Sequence, residues 1–218
     1  MSQETTVESV QLGRESLIDL GQRLTRSGID KKPVSRIEVR HSGVAGDVIA
    51  ADYHGGEGQA AYVYGRDDYA FFEHELGVAL SPGTFGENVT VGSLPPQPRV
   101  GDRLIFESGV VLELTGPRTP CATFAGRMRQ VIGEEAAKGW VKRFARARRP
   151  GVYCRVIEEG EIRPRMRLDV ERAPSDHILV MELWGLSEEG SRDPDVIARA
   201  RQSPVDRGIA DWLAGLGG

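Results

Sequence analysis

Short runs of alternating hydrophobic and polar residues occupy the first two-thirds of the chain. Thr6–Leu12 and Val34–Arg40 contain apolar side chains two positions apart, such as Ile37 and Val39, which share one face. This is the spacing of a half-buried strand. Further short runs rich in β-branched residues, separated by Gly and Pro, predict strands at Glu87–Val91, Arg103–Glu107, Val110–Thr115, Val152–Ile157 and Met166–Val170. Many short strands at this spacing predict a β-barrel or a β-sandwich.

Helical spacing of apolar residues interrupts the strand pattern in three places. It predicts helices at Asp68–Leu76, Phe124–Ile132 and Glu134–Arg148. The class is therefore mainly β with helices, an α+β protein. The last helix is very basic, with five Lys or Arg between residues 142 and 149. Such a segment is either a solvated helix face or a surface that binds an anion or an acidic partner.

The pattern changes from about residue 175 onward. His177–Trp184 is a last apolar element, either a strand or a helix, and Asp193 followed by Pro194 predicts the start of a helix. Ser203 followed by Pro204 predicts a second helix start, with Asp206 at the position where a capping box has Glu or Gln. We therefore predict two domains, a β domain over residues 1–174 and a small helical extension over residues 175–218.

The composition is that of an ordinary soluble globular protein. Of the 218 residues, 39% are hydrophobic and 28% charged, and the net charge of −4 argues against nucleic acid as a partner. No run approaches the ~20 apolar residues that a membrane span needs. The first seven residues are polar and acidic, unlike a secretory signal. We expect a cytoplasmic protein that binds neither nucleic acid nor a membrane.

Only two cysteines are present, Cys121 and Cys154. This number excludes a disulfide framework, a zinc ribbon and an iron–sulfur cluster built by this chain alone. Cys154 lies in a predicted strand and is expected in the core. Cys121 ends the run 116–121 (Gly-Pro-Arg-Thr-Pro-Cys) and precedes a predicted helix. A helix N-terminus and the nearby Arg118 favour a thiolate, which would be a nucleophile or a soft metal ligand. The alternative is a buried, inert cysteine.

Two further segments carry polar residues between glycines. Residues 46–56 contain two Asp, one His and three Gly, which is typical of a loop that brings its backbone close to a ligand, or of a plain turn-rich loop. Residues 82–88 (Pro-Gly-Thr-Phe-Gly-Glu-Asn) lead into the strand at Val89. They fit either a binding loop or the entry to a hairpin.

These segments occur together in one order, and the ordered set resembles the MOSC domain, most closely its bacterial YiiM-like branch. Each motif is weak alone, and the resemblance covers nearly the whole chain. The matching segments are residues 27–34, 46–56, 85–88, 101–102, 117–121 and 149–153, and the tail resembles the helical extension of that branch.

The resemblance implies a MOSC-type β-barrel that holds a molybdenum cofactor (molybdopterin) and reduces N-hydroxylated compounds such as N-hydroxylated purines and hydroxylamines. It makes Cys121 the metal ligand and a catalytic residue, with Asp52 and His54 as further catalytic residues. The residues implied to bind the cofactor are Lys31, Asp47, Gly55, Gly56, Phe85, Gly86, Glu87, Asn88, Arg118 and Thr119. Gln59 stands where the family commonly has a basic residue, so that Lys31, Arg36 or Arg118 is expected to hold the cofactor phosphate.

Three hypotheses stay open at this stage. The first is the reductase, which needs a separate electron-donor protein because two cysteines cannot build a relay cluster. The second is a sulfur carrier with a persulfide on Cys121, and the third is a non-catalytic module that binds or hands over the cofactor. A homodimer is kept as an open possibility.

Overall fold

The computed structural model describes residues 5–21, 23–48 and 56–216. These residues contain thirteen strands and six α-helices. The strands are β1 (Thr5–Gly13), β2 (Ser16–Asp19), β3 (Leu24–Ser27), β4 (Lys31–Val34), β5 (Ile37–Arg40), β6 (Gly43–Val44), β7 (Ala61–Gly65), β8 (Val89–Val91), β9 (Arg103–Phe106), β10 (Val111–Gly116), β11 (Val152–Glu158), β12 (Gly160–Ile162) and β13 (Arg167–Glu171). The helices are α1 (Arg66–Leu76), α2 (Ala122–Ile132), α3 (Trp140–Ala147), α4 (Val180–Glu188), α5 (Pro194–Gln202) and α6 (Arg207–Gly215).

Seven strands close into a barrel in the order β13-β9-β10-β11-β7-β8-β1. The pairing of β1 with β13 completes the ring, with Thr5 opposite Leu168 and Thr6 opposite Arg167. Neighbouring strands run antiparallel except β7 and β8, which are parallel. The predicted mixed α+β fold with a β-barrel is confirmed.

Smaller sheets extend the barrel. β4 pairs antiparallel with the second half of β1, from Val10 to Gly13. β12, β5 and β6 form a three-stranded sheet, and β2 and β3 form a hairpin that contacts α2. β4 therefore carries Lys31 to the end of the barrel at which β1 ends.

The barrel interior follows from the alternation of side chains along the strands. In β11 the side chains of Val152, Cys154 and Val156 are buried, whereas Tyr153 and Arg155 between them are partly exposed. Cys154 has no exposed surface, and burial raises the pKa of its thiol well above the ordinary value. The expectation that Cys154 belongs to the core is confirmed.

A second core, built mainly of aromatic rings, lies between the barrel and helices α1, α2 and α3. Phe85 stacks on Tyr69 at 4.7 Å between ring centroids, and Phe124 meets Phe144 edge to face at 4.9 Å. Such ring pairs add specific geometry to apolar burial. This cluster fixes helix α2, which begins directly after Cys121.

Two predicted elements have other bounds in the structure. The predicted strand Val34–Arg40 divides into β4 and β5. The helix predicted over Glu134–Arg148 was wrong in its first part, since α3 begins only at Trp140. Gly139 before it takes a left-handed conformation with φ of 67°, which does not continue a right-handed helix.

The C-terminal residues form α4, α5 and α6. The segment His177–Trp184, for which strand and helix were both open, enters helix α4 at Val180. Asp193 caps α5 with Pro194 in its first turn, as predicted. The second helix start was predicted at Ser203, but Ser203 ends α5, and α6 begins three residues later with Asp206 as its cap. Leu183 and Leu213 of these helices belong to the same apolar cluster as the barrel strands. The division into two domains at residue 174 stays a prediction. Within the described ranges, no helix combines the length and apolar character that crossing a bilayer requires.

Candidate functional site

Cys121 lies at the N-terminal cap of helix α2, where the sequence predicts it. The chain leaves β10 at Gly116 and reaches Cys121 through two prolines, and Cys121 has an extended backbone with φ of −137°. Its side chain is partly exposed. The positive end of a helix dipole favours a thiolate at this position. Cys121 is therefore placed to react with, or bind to, a group outside the protein.

Arg118 is the buried cation beside Cys121. Only 6% of it is exposed, and its guanidinium lies 4.2 Å from the ring centre of Phe124 and 5.5 Å from that of Tyr62. Burial lowers the pKa of Arg118. Tyr153, Tyr62 and Cys121 together raise it by more, so that the net shift is upward and Arg118 stays protonated. Its Nη1 atom is buried and has no hydrogen-bond partner among the described residues. A buried guanidinium with an unused donor is suited to binding an anion.

Lys31 and Asp47 form a buried ion pair near this arginine. Lys31 Nζ contacts Asp47 Oδ2, and both side chains are at least nine-tenths buried. Asp47 also accepts from Gly13 N at 2.7 Å and from Asn88 Nδ2 at 2.9 Å. Burial, the largest effect, lowers the pKa of Lys31, and the charge of Arg118 lowers it as well. The carboxyl groups of Asp47 and Glu87 raise it, but the net shift is downward. The predicted residues Lys31, Asp47 and Asn88 therefore form one contiguous network.

Glu87 is a buried carboxyl group behind this network. Its Oε1 accepts from Gly83 N at 2.6 Å, Tyr69 Oη at 2.7 Å and Thr90 Oγ1 at 2.9 Å. Its Oε2 is buried and, within the described part of the chain, has no partner. Burial raises the pKa of Glu87, although these hydrogen bonds lower it. Glu87 therefore holds the loop 82–88 in place from the inside.

The remaining predicted residues of the loop 82–88 are structural in their contacts. Phe85 has no exposed surface and lies inside the aromatic cluster. Gly86 has φ of 84°, and a Cβ atom there would lie 2.9 Å from Ile29 Cγ1. Both residues shape the loop, and any contact with a cofactor stays a prediction for them.

Other predicted residues lie elsewhere or outside the description. Thr119 and Gly56 are exposed. Asp52, His54 and Gly55 lie outside the described residues, so their predicted roles stay predictions. Among the residues described, no three His, Cys, Asp or Glu side chains are grouped as a metal site.

Two predicted sources of positive charge are less suited to the site. Arg36 is 65% exposed at its side chain and pairs with Glu161. In the basic segment, Arg143, Arg148 and Arg149 form ion pairs with Glu75, Glu189 and Asp68. These pairs favour a solvated face there, and they leave Lys31 and Arg118 as the buried cations near Cys121.

Sequence reasoning missed two tyrosines of the site as functional residues. Tyr62 Oη donates to Pro150 O at 2.7 Å, and its backbone N donates to Asn88 Oδ1 at 3.2 Å. The ring of Tyr153 lies 5.2 Å from that of Tyr62, over which Arg118 packs, and Tyr153 raises the pKa of Arg118. Tyr153 ends the Arg-Pro-Gly-Val-Tyr motif, which was the available signal.

A β-barrel that presents a partly exposed thiol beside a buried arginine, with a second buried cation near that arginine, defines a class of protein suited to an anionic ligand. The sequence matches the MOSC domain over residues 50–167, which is more than half of the chain. The chain belongs to the MOSC domain family, which is associated with the molybdenum cofactor.

Relatives and solved structures agree with this assignment. The uncharacterized protein YflK of Bacillus subtilis (strain 168) is 31% identical over 174 residues, which cover 78% of this chain and 75% of that protein. The crystal structure of YiiM from Geobacillus stearothermophilus matches with a TM-score of 0.77 at 20% identity, covering 97% of this chain and 98% of that one. YiiM from Escherichia coli matches with a TM-score of 0.72 at 16% identity over 97% and 91% of the two chains. The YiiM-like fold is thereby confirmed.

Proposed function

We propose that this chain binds the molybdenum cofactor and reduces N-hydroxylated compounds, with Cys121 as the thiolate ligand of the metal. The observation that carries the proposal is a partly exposed thiol, Cys121, beside the buried Arg118, with the buried Lys31 near that arginine. Membership of the MOSC family supports the cofactor. The finer activity follows from the resemblance to the YiiM-like branch.

The charges of the site fit the anionic end of a molybdopterin. Arg118 offers a buried Nη1 donor that no described residue uses, and Lys31 carries a second cation whose described partner is Asp47. Phosphate groups are bound by such charge-assisted hydrogen bonds. Arg118 and Lys31 would therefore hold the cofactor phosphate, and Asn88 would keep Asp47, and with it Lys31, in position.

The thiol fits the metal end. Soft thiolate ligands suit a metal that already has sulfur ligands from a pterin dithiolene. The positive helix end at Cys121 and the guanidinium of Arg118 both stabilise the deprotonated form of the sulfur. When bound, the cofactor would supply the two electrons that reduction of an N–O bond to an amine and water requires together with two protons. The protein positions the cofactor and tunes its surroundings.

Proton supply is assigned to the loop that contains Asp52 and His54. Cleavage of an N–O bond requires protons at the leaving oxygen, and a histidine titrates near neutral pH. We assign His54 as the proton donor and Asp52 as the residue that orients it or relays a proton. Electrons come from a separate reductase, since the two cysteines of the chain cannot build a relay cluster.

The test compares molybdenum and pterin content with reduction of a hydroxylamine substrate. Wild-type protein, Cys121→Ala and the matched control Cys154→Ala are produced in a host that makes the cofactor, and an artificial electron donor drives the reaction. We expect Cys121→Ala to lose activity by more than about 100-fold, because loss of a ligand exceeds the effect of losing its supporting contacts. Cys154→Ala removes the other, buried thiol and retains the activity.

Other outcomes decide against the reductase. Folded wild-type protein with neither molybdenum nor pterin contradicts the proposal. A persulfide on Cys121, found by mass spectrometry without bound metal, supports the sulfur carrier instead. Bound cofactor without turnover of any N-hydroxylated substrate supports a non-catalytic module.

A further inference from the structure

The start of helix α6 contacts the short 3₁₀ helix Glu57–Gln59 at unusually close range. A Cβ atom on Gly58 would lie 2.3 Å from Asp206 Oδ2 and 3.0 Å from Asp206 Cα. Gln59 Nε2 donates to Asp206 Oδ1 at 3.5 Å, and the same oxygen accepts from Gly208 N at 2.9 Å to cap α6. Asp206 is only 7% exposed. One carboxylate therefore begins a helix and packs against a separate segment.

Thr115 of β10 joins this contact to the barrel. Its carbonyl oxygen accepts from Asp206 N at 3.2 Å. Its hydroxyl lies 2.5 Å from Gly58 O and 3.0 Å from Tyr153 O, so that one proton is shared between two acceptors. Thr115 has no exposed surface. Thr115, a single buried residue, is thus hydrogen-bonded to the start of α6, to the 3₁₀ helix and to β11.

The same contacts lead directly to the proposed metal ligand. Gly116 follows Thr115, and a Cβ atom there would lie 2.7 Å from Ile209 Cδ1 of α6. Tyr153, whose carbonyl accepts from Thr115, packs against Tyr62 at 5.2 Å between ring centroids, and the guanidinium of Arg118 lies 5.5 Å from the Tyr62 ring centre. Helix α6 therefore packs against the chain just before residues 117–121 and against the strand that supports Arg118.

We propose that Asp206 is a positioning residue of the candidate site, which fixes Tyr153 and Arg118 relative to Cys121 through Thr115 and Gly58. The C-terminal helices are then a structural part of the site. The catalytic consequence rests on the proposed function. The structural consequence does not, because it is measurable on protein without cofactor.

A second helix cap in the chain provides the matched control. Asp193 caps α5 by accepting from Asp195 N at 2.9 Å and Val196 N at 3.3 Å, and its side chain is exposed. Asp193→Ala therefore removes a comparable cap far from the contacts of Thr115. Asp206→Asn is the conservative variant, because Asn also caps helices well.

The test is hydrogen exchange on the cofactor-free variants, followed by assays of the loaded protein. We expect Asp206→Ala to accelerate exchange at residues 57–61 and 112–118 by more than about tenfold, because the carboxylate contacts that order them are lost. Asp193→Ala changes exchange only in α5, and Asp206→Asn restores most of the protection. In the loaded protein, Asp206→Ala lowers kcat by about 10- to 100-fold with a smaller change in KM, since misplacement near the reacting centre costs rate.

Gly58→Ala tests the same contact without changing the cap residue. The added methyl group displaces the Asp206 side chain, so the exchange pattern should match that of Asp206→Ala. Gly215→Ala in α6, where a Cβ atom meets nothing within 4 Å, should leave exchange and activity unchanged.

Two outcomes separate the inference from the proposed function. If Asp206→Ala and Asp193→Ala lower the melting temperature alike and neither alters exchange at residues 112–118, Asp206 is only a helix cap and the inference is overturned. If exchange changes as expected but the wild type holds no molybdenum, the positioning role stands and the proposed function fails.

Discussion

At the scale of single residues, the site depends on cations that are kept away from water. Lys31 and Arg118 are both more than nine-tenths buried, and a buried charge costs free energy unless it is paired. Asp47 compensates Lys31, and aromatic faces and Tyr153 surround Arg118. The cost of keeping two cations buried in one region supports the proposal that an anionic cofactor binds there.

Lys31→Met should lower cofactor retention by about 10- to 100-fold, the effect of losing one charge-assisted hydrogen bond. The variant also leaves Asp47 buried without its cation, which should cost about 3 to 5 kcal/mol in the free energy of unfolding. Pterin content after gel filtration and urea denaturation measure the two effects. Lys32→Met is the control, because Lys32 is 65% exposed at its side chain and pairs with Asp30. An equal loss of pterin in Lys31→Met and Lys32→Met would contradict this prediction.

The double variant Lys31→Met with Asp47→Asn separates stability from binding. Replacing both charges removes the uncompensated carboxylate, so most of the lost free energy of unfolding should return. Cofactor retention should stay low, because the cation is still missing. Recovery of both quantities would show that Lys31 acts only through folding.

At the scale of elements, the loop 82–88 depends on a glycine that touches another strand. Gly83 has φ of 89°, and a Cβ atom there would lie 2.4 Å from Lys31 O in β4. Its backbone N also donates to Glu87. The loop that holds Glu87 and Asn88 is thus packed directly on the strand that holds Lys31.

Gly83→Ala should therefore destabilise the protein more than conformational strain alone does. Gly77→Ala is the matched control, because Gly77 also has a positive φ of 67° but a Cβ atom there meets nothing within 4 Å. We expect about 1 kcal/mol for Gly77→Ala, and at least about 2 kcal/mol more for Gly83→Ala, where backbone atoms must move. Urea denaturation measures the difference, and equal losses would exclude the steric contact.

The helices and strands also show which structural features local sequence patterns can predict. The Pro-Cys step before an amphipathic run placed Cys121 at a helix start, and Asp193 identified a cap, since these signals act over a few residues. The start of α6 was predicted three residues too early, at Ser203 instead of Asp206. Strand β7 was missed because Ala61–Gly65 is buried on both faces and shows no alternation.

Contacts between residues that are distant in sequence limit how much of the site could be predicted from the sequence. Nothing local in the sequence indicates that Tyr153 supports Arg118, or that Asp206 packs on Gly58, because these pairs form only when the barrel closes. The family resemblance did find Lys31, Asp47 and Asn88, which the structure brings into one network.

At the scale of the whole molecule, barrel and C-terminal helices share one apolar core, so local changes act on global unfolding. Glu87 links the site to this global stability. Burial raises its pKa above the ordinary value of 4.5, and the folded protein therefore holds a proton that the unfolded chain releases. Such a group contributes stability that is fully present below about pH 4.5 and is lost as the pH rises through its folded pKa.

Glu87→Gln should remove this pH dependence. The Gln Oε1 atom has two lone pairs and can accept two of the three hydrogen bonds from Gly83, Tyr69 and Thr90, and the side chain has no proton to release in this pH range. Above pH 4.5 the free energy of unfolding of the wild type should fall relative to the variant, by at most about 1.4 kcal/mol per pH unit. The contributions of the other carboxyl groups to the pH dependence cancel in this comparison, because both proteins contain them.

Urea denaturation of both proteins between pH 4 and pH 8 (roughly the range in which carboxyl groups with raised pKa values titrate) measures this difference. As the pH rises, the free energy of unfolding of the variant should increase relative to that of the wild type. This difference should level off once Glu87 is ionised in the folded protein. A difference that is constant over the range would mean that Glu87 has the same pKa in the folded and unfolded chain. The carboxylate would then have to be compensated inside the fold, and the orphaned Oε2 atom would need a donor that binds it there.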